Sequence, residues 1–227
     1  MMSRKATVPA LCKALALVVL VSTLALLTGC VAPFSELQSA RLVGKGNFEV
    51  TPSYSAVSMS DEGQTEKIQD HYGAQIGFGL AKFMDLRLRY EHIGASYEVE
   101  GELQTASVDV IGFGPKFRLA KDWLAFYVPI GFAFGADVED SSESWQIHPT
   151  LLATLALGKS FELIPSTKVM ISLTGGGALY AFNLGAAIGP DVRKWAIRPE
   201  FGICSDFAGG SFMQFSIGLT LGPGLFK

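Results

Sequence analysis

The chain has few cysteines, three in 227 residues, and two of them, Cys12 and Cys30, lie in the first thirty positions. Cys204 is alone in the remainder of the chain. A disulfide framework needs paired cysteines, and a structural zinc site needs closely spaced Cys and His ligands. With three histidines in all, the sequence predicts no metal site and no cofactor.

Charge is also sparse, and its balance is acidic. Charged residues make up 17% of the chain, and 21 Asp and Glu outnumber 18 Lys and Arg. This balance argues against nucleic acid as a partner. After residue 30 no apolar run reaches the roughly 18 residues of a membrane-spanning helix, although 49% of the residues are hydrophobic. Two solutions remain, a large water-soluble core or a barrel whose outside faces lipid.

The first thirty residues have the pattern of an export signal. Arg4, Lys5 and Lys13 precede an apolar run from Ala14 to Leu27, and Leu27-Thr28-Gly29-Cys30 follows. The run is of signal-peptide length and short for a membrane span. The motif resembles the lipobox of bacterial lipoproteins, which implies cleavage before Cys30 and acylation of that cysteine. Val31 in place of Asp implies, by the same resemblance, onward transport to the outer membrane.

We therefore divide the chain into a lipoprotein signal peptide (1–29), a lipidated N-terminus and tether (30–45), and a β-domain (46–227). From Gly46 to the C-terminus the apolar residues alternate with a period of two, which predicts β-strands. A polar stretch, Ser60–Gln69, reads as a loop, as do Val99–Gln104 and Ala136–Ser144. The third predicted strand passes through Leu86, Leu88 and Tyr90. The other nine lie at 46–59, 70–81, 105–119, 123–135, 145–158, 167–174, 177–188, 195–206 and 211–222.

Long acidic loops alternate with short turns at Lys82–Met84 and Ala120–Asp122, an asymmetry typical of transmembrane barrels. Ten strands would return both termini to the periplasm, where we expect the lipidated Cys30. Eight is the alternative if the pair in 167–194 is irregular. The pattern over 46–222 resembles the small outer-membrane β-barrels, broadly OmpA-like and OmpW-like. The predicted fold is an all-β, antiparallel, up-and-down transmembrane barrel.

The candidate site is the barrel interior. Alternation assigns a set of charged residues to the inward face: Arg87, Arg89, Glu91, Lys116, Arg118, Arg198 and Glu200. The lumen of so small a barrel is narrow and buried charges must pair, so we expect a salt-bridge network there. A small aqueous pore with basic selectivity is the alternative.

Two pairs of side chains are weak candidates for a catalytic site. Enzymes that modify lipid A in the outer membrane use a histidine with a serine or an acid, and His92 with Ser96, or His148 with Thr150, are conceivable pairs. Neither matches a trusted motif, so we expect no enzyme. Cys204 is assigned inward as inert packing.

Three functions stay open. The leading one is a lipid-anchored outer-membrane barrel, of a Gram-negative-type bacterium, with a structural or surface-interaction role. The second is a narrow pore or a barrel that carries a hydrophobic ligand, lipocalin-like if soluble. The third is an enzyme that modifies lipid A. The expected partners are outer-membrane lipids, lipopolysaccharide, and the machineries for barrel insertion and lipoprotein sorting.

Overall fold

A computed structural model describes residues 33–61, 64–99, 102–175, 177–206 and 211–225. Almost all regular structure in these ranges is extended. Ten strands follow one another along the chain: β1 Phe48–Asp61, β2 Gln64–Gly79, β3 Met84–Val99, β4 Glu102–Ala120, β5 in the two parts Leu124–Tyr127 and Ile130–Phe134, β6 in the three parts Gln146–Ile147, Thr150–Ala153 and Leu155–Ala156, β7 Phe161–Ser172, β8 Ala178–Asp191, β9 Trp195–Ser205 and β10 Ser211–Leu221. Pro129 and Pro149 stand in the breaks of β5 and β6, because proline has no N–H to donate to a ladder.

Each strand pairs antiparallel with the next, and the sheet closes on itself. The closing pair is β1 with β10, in register from Val50 opposite Leu221 to Ser60 opposite Ser211. Within the described ranges each of the ten strands pairs with a neighbour on both sides, and a β-structure in a bilayer requires such closure because lipid cannot bond to a free strand edge. The predicted antiparallel barrel is therefore confirmed, with ten strands and not eight.

Two of the predicted loops are wrong. Residues 60–69 and 99–104 belong to long hairpins, in which β1 and β2 pair as far as Asp61 opposite Gln64, and β3 and β4 as far as Val99 opposite Glu102. Residues 60–69 are almost all polar at successive positions, so no alternation of apolar and polar residues marks the strands there. The third predicted loop, 136–144, does lie between strands, and it contains a short 3₁₀ turn at Ser141–Glu143. The seventh strand occupies 161–172 where we predicted 167–174.

The wall of the barrel is apolar outside and polar inside. Large hydrophobic side chains are exposed in rows, with Phe78, Leu88 and Phe215 exposed by 45%, 41% and 58%. Buried inward positions carry charged and amide residues instead. An apolar surface this extensive on an ordinary monomer would be an association site, whereas around a closed barrel it is the lipid-facing band of a transmembrane protein. The lipocalin-like alternative, with apolar faces inward, is therefore wrong.

The two ends of the barrel differ. Short connections, at 80–83, 121–123, 157–160 and 192–194, share one end with the start of β1 and the end of β10. We call this the short-turn end. The long hairpins and the 135–145 loop lie at the other, the long-loop end. A second 3₁₀ turn, Pro223–Leu225, follows β10. Within the described ranges no helix is long and apolar enough to cross a membrane.

A lumen closed by the N-terminal segment

Residues 33–43, which we call the lumenal segment, are inside the barrel. Phe34, Ser35, Glu36 and Ala40 are each exposed by 1% or less. The segment has no regular secondary structure, so its backbone N–H and C=O groups need partners from the wall. We expected a tether over residues 30–45, and the described part of it from 33 to 43 is buried in the lumen.

At the short-turn end, charged side chains of the wall hold the segment. The backbone N–H of Val43 donates to Asp85 Oδ2 at 2.8 Å. Lys116 Nζ donates to the carbonyl oxygens of Ser39 at 3.1 Å and Arg41 at 2.8 Å. The Arg41 guanidinium forms an ion pair with Glu162, whose side chain is completely buried.

In the middle of the lumen a wall carboxylate binds the segment's backbone, and a carboxylate of the segment binds a wall lysine. The Glu200 carboxylate accepts the backbone N–H of Glu36 at 2.7 Å and of Leu37 at 3.0 Å. The Glu36 carboxylate in turn pairs with Lys168 Nζ at 2.7 Å. Both acids are thus buried with partners, the condition under which buried charge is tolerated.

Beyond this point the segment's first residues contact two further wall side chains, Arg89 and Asn183, and Lys168 again. Arg89 donates to the carbonyl oxygen of Ser35, and at 2.6 Å to its hydroxyl. Asn183 Nδ2 donates to the Phe34 carbonyl at 2.8 Å. Lys168 Nζ lies 3.4 Å from the Pro33 carbonyl. The wall thus binds the segment mainly through its backbone.

The inward charges predicted from the sequence come together, with one exception. Side chains exposed by 4% or less, and therefore inside the wall, are Arg87, Glu91, Lys116, Arg198 and Glu200. Arg89 is partly buried and pairs with Glu91, whose other oxygen is 3.2 Å from His71 Nδ1. Arg87 pairs with Glu49, and Arg198 Nε donates to Thr220 at 2.7 Å.

Arg118 is the exception, because its side chain is exposed. It lies near the short-turn end of β4, and its backbone N–H donates to the Phe83 carbonyl. Arg118 is paired with the fully buried Ala125, as Lys116 is paired with the buried Tyr127. It therefore keeps the inward register of Lys116, but it lies too close to the end of the strand to be buried.

Sequence reasoning missed Glu36, Lys168, Glu162 and Asp85 as parts of the site. Glu36 lies in a stretch without periodicity. Glu162 lies outside the strand predicted at 167–174, and Lys168 lies within it but was not assigned to a face. One signal was available: the predicted lumen held more inward cations than acids, and so needed further groups to complete it.

The chain between the lumenal segment and β1 passes so close to Gly79 that a side chain at this position would collide with it. Gly79 pairs with the chain just before β1, donating to the Asn47 carbonyl at 2.9 Å and accepting from Gly46 at 2.8 Å. A Cβ on Gly79 would lie 1.9 Å from the backbone oxygen of Gly44. Backbone, unlike a flexible side chain, cannot yield there.

We expect Gly79→Ala to destabilise the folded barrel by about 1–3 kcal/mol, the usual cost of overpacking. The measurement is the temperature at which the folded form is lost in detergent. Gly94→Ala is the matched control, because no atom lies within 4 Å of its would-be Cβ. Equal losses in the two variants would contradict the close approach at Gly79.

The histidine pairs considered from the sequence have other partners. His92 is exposed, with Nδ1 3.0 Å from Asp109 Oδ1. The Thr150 hydroxyl donates to the backbone carbonyl of His148, and His148 Nε2 is 2.9 Å from Gln146 Oε1. In the described ranges no group of three His, Cys, Asp or Glu side chains could hold a metal ion. Cys204 is buried, and Cys30 lies outside the described residues, as does the predicted signal peptide.

No protein-family model and no curated protein matches this chain. Among solved structures, the translocator domain of the autotransporter NalP from Neisseria meningitidis is 8% identical, with a TM-score of 0.43, over 78% of this chain and 89% of that one. Ail, the attachment invasion locus protein of Yersinia pestis, is 11% identical, with a TM-score of 0.39, over 78% and 98%. The outer membrane protein OprG from Pseudomonas aeruginosa is 8% identical, with a TM-score of 0.31, over 80% and 99%.

These likenesses are distant, and the class of this protein rests on its own strand pairing and wall. It is a closed, ten-stranded antiparallel transmembrane β-barrel. More particularly, it is a barrel of this class whose lumen contains its own N-terminal segment.

Proposed function

We propose that this chain is a lipid-anchored outer-membrane β-barrel of a Gram-negative-type bacterium, with a structural or surface-interaction role and a sealed lumen. The observation that carries the proposal is the burial of residues 33–43 among the lumenal charges. A pore needs a continuous water path, and here the polar groups that would line it bind protein backbone. The short-turn end would face the periplasm, as in barrels of this class.

The outer wall supports contact with lipopolysaccharide as the surface partner. Tyr72 and Tyr90 are exposed by 57% and 44%, where interfacial aromatic rings are expected. Next to them, Lys67 pairs with Asp70 at 2.8 Å and Tyr90 donates to Asp109 at 2.7 Å. Exposed rings with hydroxyl and carboxylate groups beside an apolar band suit contact with sugar headgroups, and Lys67 is the cation among them that a phosphate could contact. The proposal includes no catalytic step.

A closed barrel in the outer membrane predicts a specific behaviour on gels. We expect protein extracted from that membrane to migrate faster in SDS when unheated than after boiling, because a sheet without edges resists the detergent until it is heated. Migration unchanged by boiling, together with recovery in the soluble fraction once Cys30 is replaced, would contradict a membrane barrel.

Lipid anchoring is tested separately. We expect the chain to incorporate labelled palmitate and to lose all of the label on Cys30→Ala. Cys204→Ala is the matched control and should keep the label, since Cys204 is buried. Absence of label from the natural sequence would refute the lipid anchor and leave the barrel untouched.

A second candidate function is a gated pore. Polar contacts, more than apolar packing, hold the lumenal segment. Water could replace such contacts if the segment were withdrawn, and the remaining lumen would be lined by Arg89, Lys116, Lys168 and Arg198. The conductance experiment described in the Discussion decides between a permanent seal and a gate.

A further inference from the structure

The two ends of the barrel carry opposite charge. The chain just before β1 and each of the four short connections contain an exposed cation, and we call these side chains the cationic rim: Lys45, Lys82, Lys121, Lys159, Arg193 and Lys194. At the long-loop end the exposed charged side chains in the described ranges are acidic, as at Asp137 and Glu139, with Lys67 as the one cation. Lys67 pairs with Asp70 at 2.8 Å. An anionic partner therefore fits the short-turn end better than the long-loop end.

Few acids neutralise the cationic rim. Residues 44–47 and the four short connections contain a single acid, Asp122, whose carboxylate is 3.6 Å from Arg193 in an exposed pair. Asp191, the last residue of β8, accepts the backbone N–H of Arg193 at 3.1 Å. The described lysines that form ion pairs lie outside the rim: Lys67, Lys116 and Lys168. The rim lysines are therefore available to an anion from outside the protein.

The cationic rim extends around the whole barrel. The four short connections follow β2, β4, β6 and β8, and Lys45 precedes β1, so a cation occurs at every second strand of the closed sheet. Neighbouring strands are about 4.8 Å apart, so these connections recur at intervals of roughly 10 Å. A single docked macromolecule would contact one side of such a ring, whereas the headgroups of a surrounding leaflet contact all of it.

The cationic rim also borders the lipid-facing band. Lys82 is followed by the exposed Phe83, and Lys121 stands two residues before the exposed Trp123. Leu157, also exposed, stands two residues before Lys159. A lysine stem can lie along hydrocarbon while its ammonium group reaches the headgroups, and tryptophan prefers the same level of the membrane. The surroundings of the rim thus favour lipid headgroups over a water-soluble acidic partner.

We propose that the cationic rim binds the phosphate groups of anionic phospholipids, so that these lipids are enriched beside the barrel in the leaflet around the short-turn end. Basic side chains at a membrane surface attract anionic headgroups over a distance of about a Debye length. In the orientation proposed above this leaflet is the periplasmic one. The inference needs the transmembrane barrel and not the lipid anchor, so loss of the anchor would leave it intact.

The test is the quenching of Trp123 fluorescence by brominated phospholipids. The chain has three tryptophans, and Trp145→Phe with Trp195→Phe leaves Trp123 alone. The full chain is reconstituted in vesicles of phosphatidylglycerol and phosphatidylcholine in equal amounts, with bromine on the acyl chains of one lipid or of the other. Both kinds of vesicle carry the same charge, and both of their leaflets have the same composition. The direction of insertion therefore does not affect the result.

We expect brominated phosphatidylglycerol to quench Trp123 about twofold more than brominated phosphatidylcholine, because the rim enriches the anionic lipid. The excess should disappear in about 1 M salt, where the Debye length falls to about 3 Å. It should also disappear when the rim lysines are replaced together, and persist when arginine replaces the same lysines: Lys45→Gln, Lys82→Gln, Lys121→Gln, Lys159→Gln and Lys194→Gln. Lys67→Gln, at the long-loop end, is the matched control and should keep the excess.

Equal quenching by the two lipids would overturn the proposal, as would an excess that survives high salt or the glutamine replacements. The salt measurement uses the unaltered rim, so it gives a result even if the glutamine variant does not fold. Only protein with heat-modifiable migration is compared, which distinguishes failure of the rim from failure of the barrel.

Discussion

Replacing residues 33–43 with a glycine–serine chain of equal length is expected to turn a sealed barrel into one that conducts ions. The replacement removes the Glu36 carboxylate and the Arg41 guanidinium, which pair with Lys168 and Glu162. It also removes the side chains of Phe34 and Leu37, which are almost completely buried in the lumen. Water would then solvate the freed wall charges and form a continuous path.

The measurement is current across a planar bilayer containing the purified protein. We expect no discrete steps from the natural sequence and repeated steps from the replaced one. A glycine–serine replacement of residues 136–140, in the long-loop region, is the matched control and should stay silent. A replaced protein that still shows heat-modifiable migration but passes no current would mean that wall side chains alone close the lumen.

The second large effect concerns the ion pair of Arg41 with Glu162. Glu162 is completely buried on β7, and Arg41 is the cation that pairs with it. We expect Arg41→Met to destabilise the protein by about 3–5 kcal/mol, because the variant leaves a buried carboxylate without its charge partner. The free energy of unfolding is measured by urea titration in lipid vesicles.

Two further variants make that measurement specific. Arg41→Met combined with Glu162→Gln removes both charges and should recover most of the loss. Arg193→Ala removes the partner of Asp122 from an exposed pair at 3.6 Å, with both side chains well exposed, and should cost at most about 1 kcal/mol. A double variant as unstable as Arg41→Met would show that Arg41 acts through packing and not through charge.

The fold was predictable because lipid imposes a simple rule on a strand. A residue that faces the bilayer must be apolar, whereas the residues before and after it in the strand face the lumen and can be polar. In β3, for example, apolar residues alternate with charged ones: Leu86, Leu88 and Tyr90 with Arg87, Arg89 and Glu91. This alternation allows the strands to be predicted from the sequence. Outside the lipid-facing band this rule does not apply, and there we predicted loops where the structure has strands. Residues 60–69 are almost all polar, and the strands there are defined by backbone pairing such as Ser58 opposite Lys67.

The site was half predictable for a related reason. Alternation identifies inward charges such as Lys116 and Glu200, but it cannot identify what they bind. Residues 33–43 have the mixed polarity of a linker, and nothing local to them indicates burial. Their contacts are with residues far along the chain, as between Glu36 and Glu200, 164 positions apart. No window of sequence contains both partners.

That separation has a consequence for the order in which the protein assembles. Glu200 and Asn183 arrive near the end of synthesis, long after the segment they hold, and contacts between such distant residues are slow to form. The segment also lies next to β1, one of the two strands that close the barrel. A chain truncated before β9 would lack both Glu200 and the closing strand β10. The contacts of the segment with Glu200 and Asn183 can form only once β8 and β9 are in place, so we expect the lumen to be filled no earlier than the wall is nearly complete.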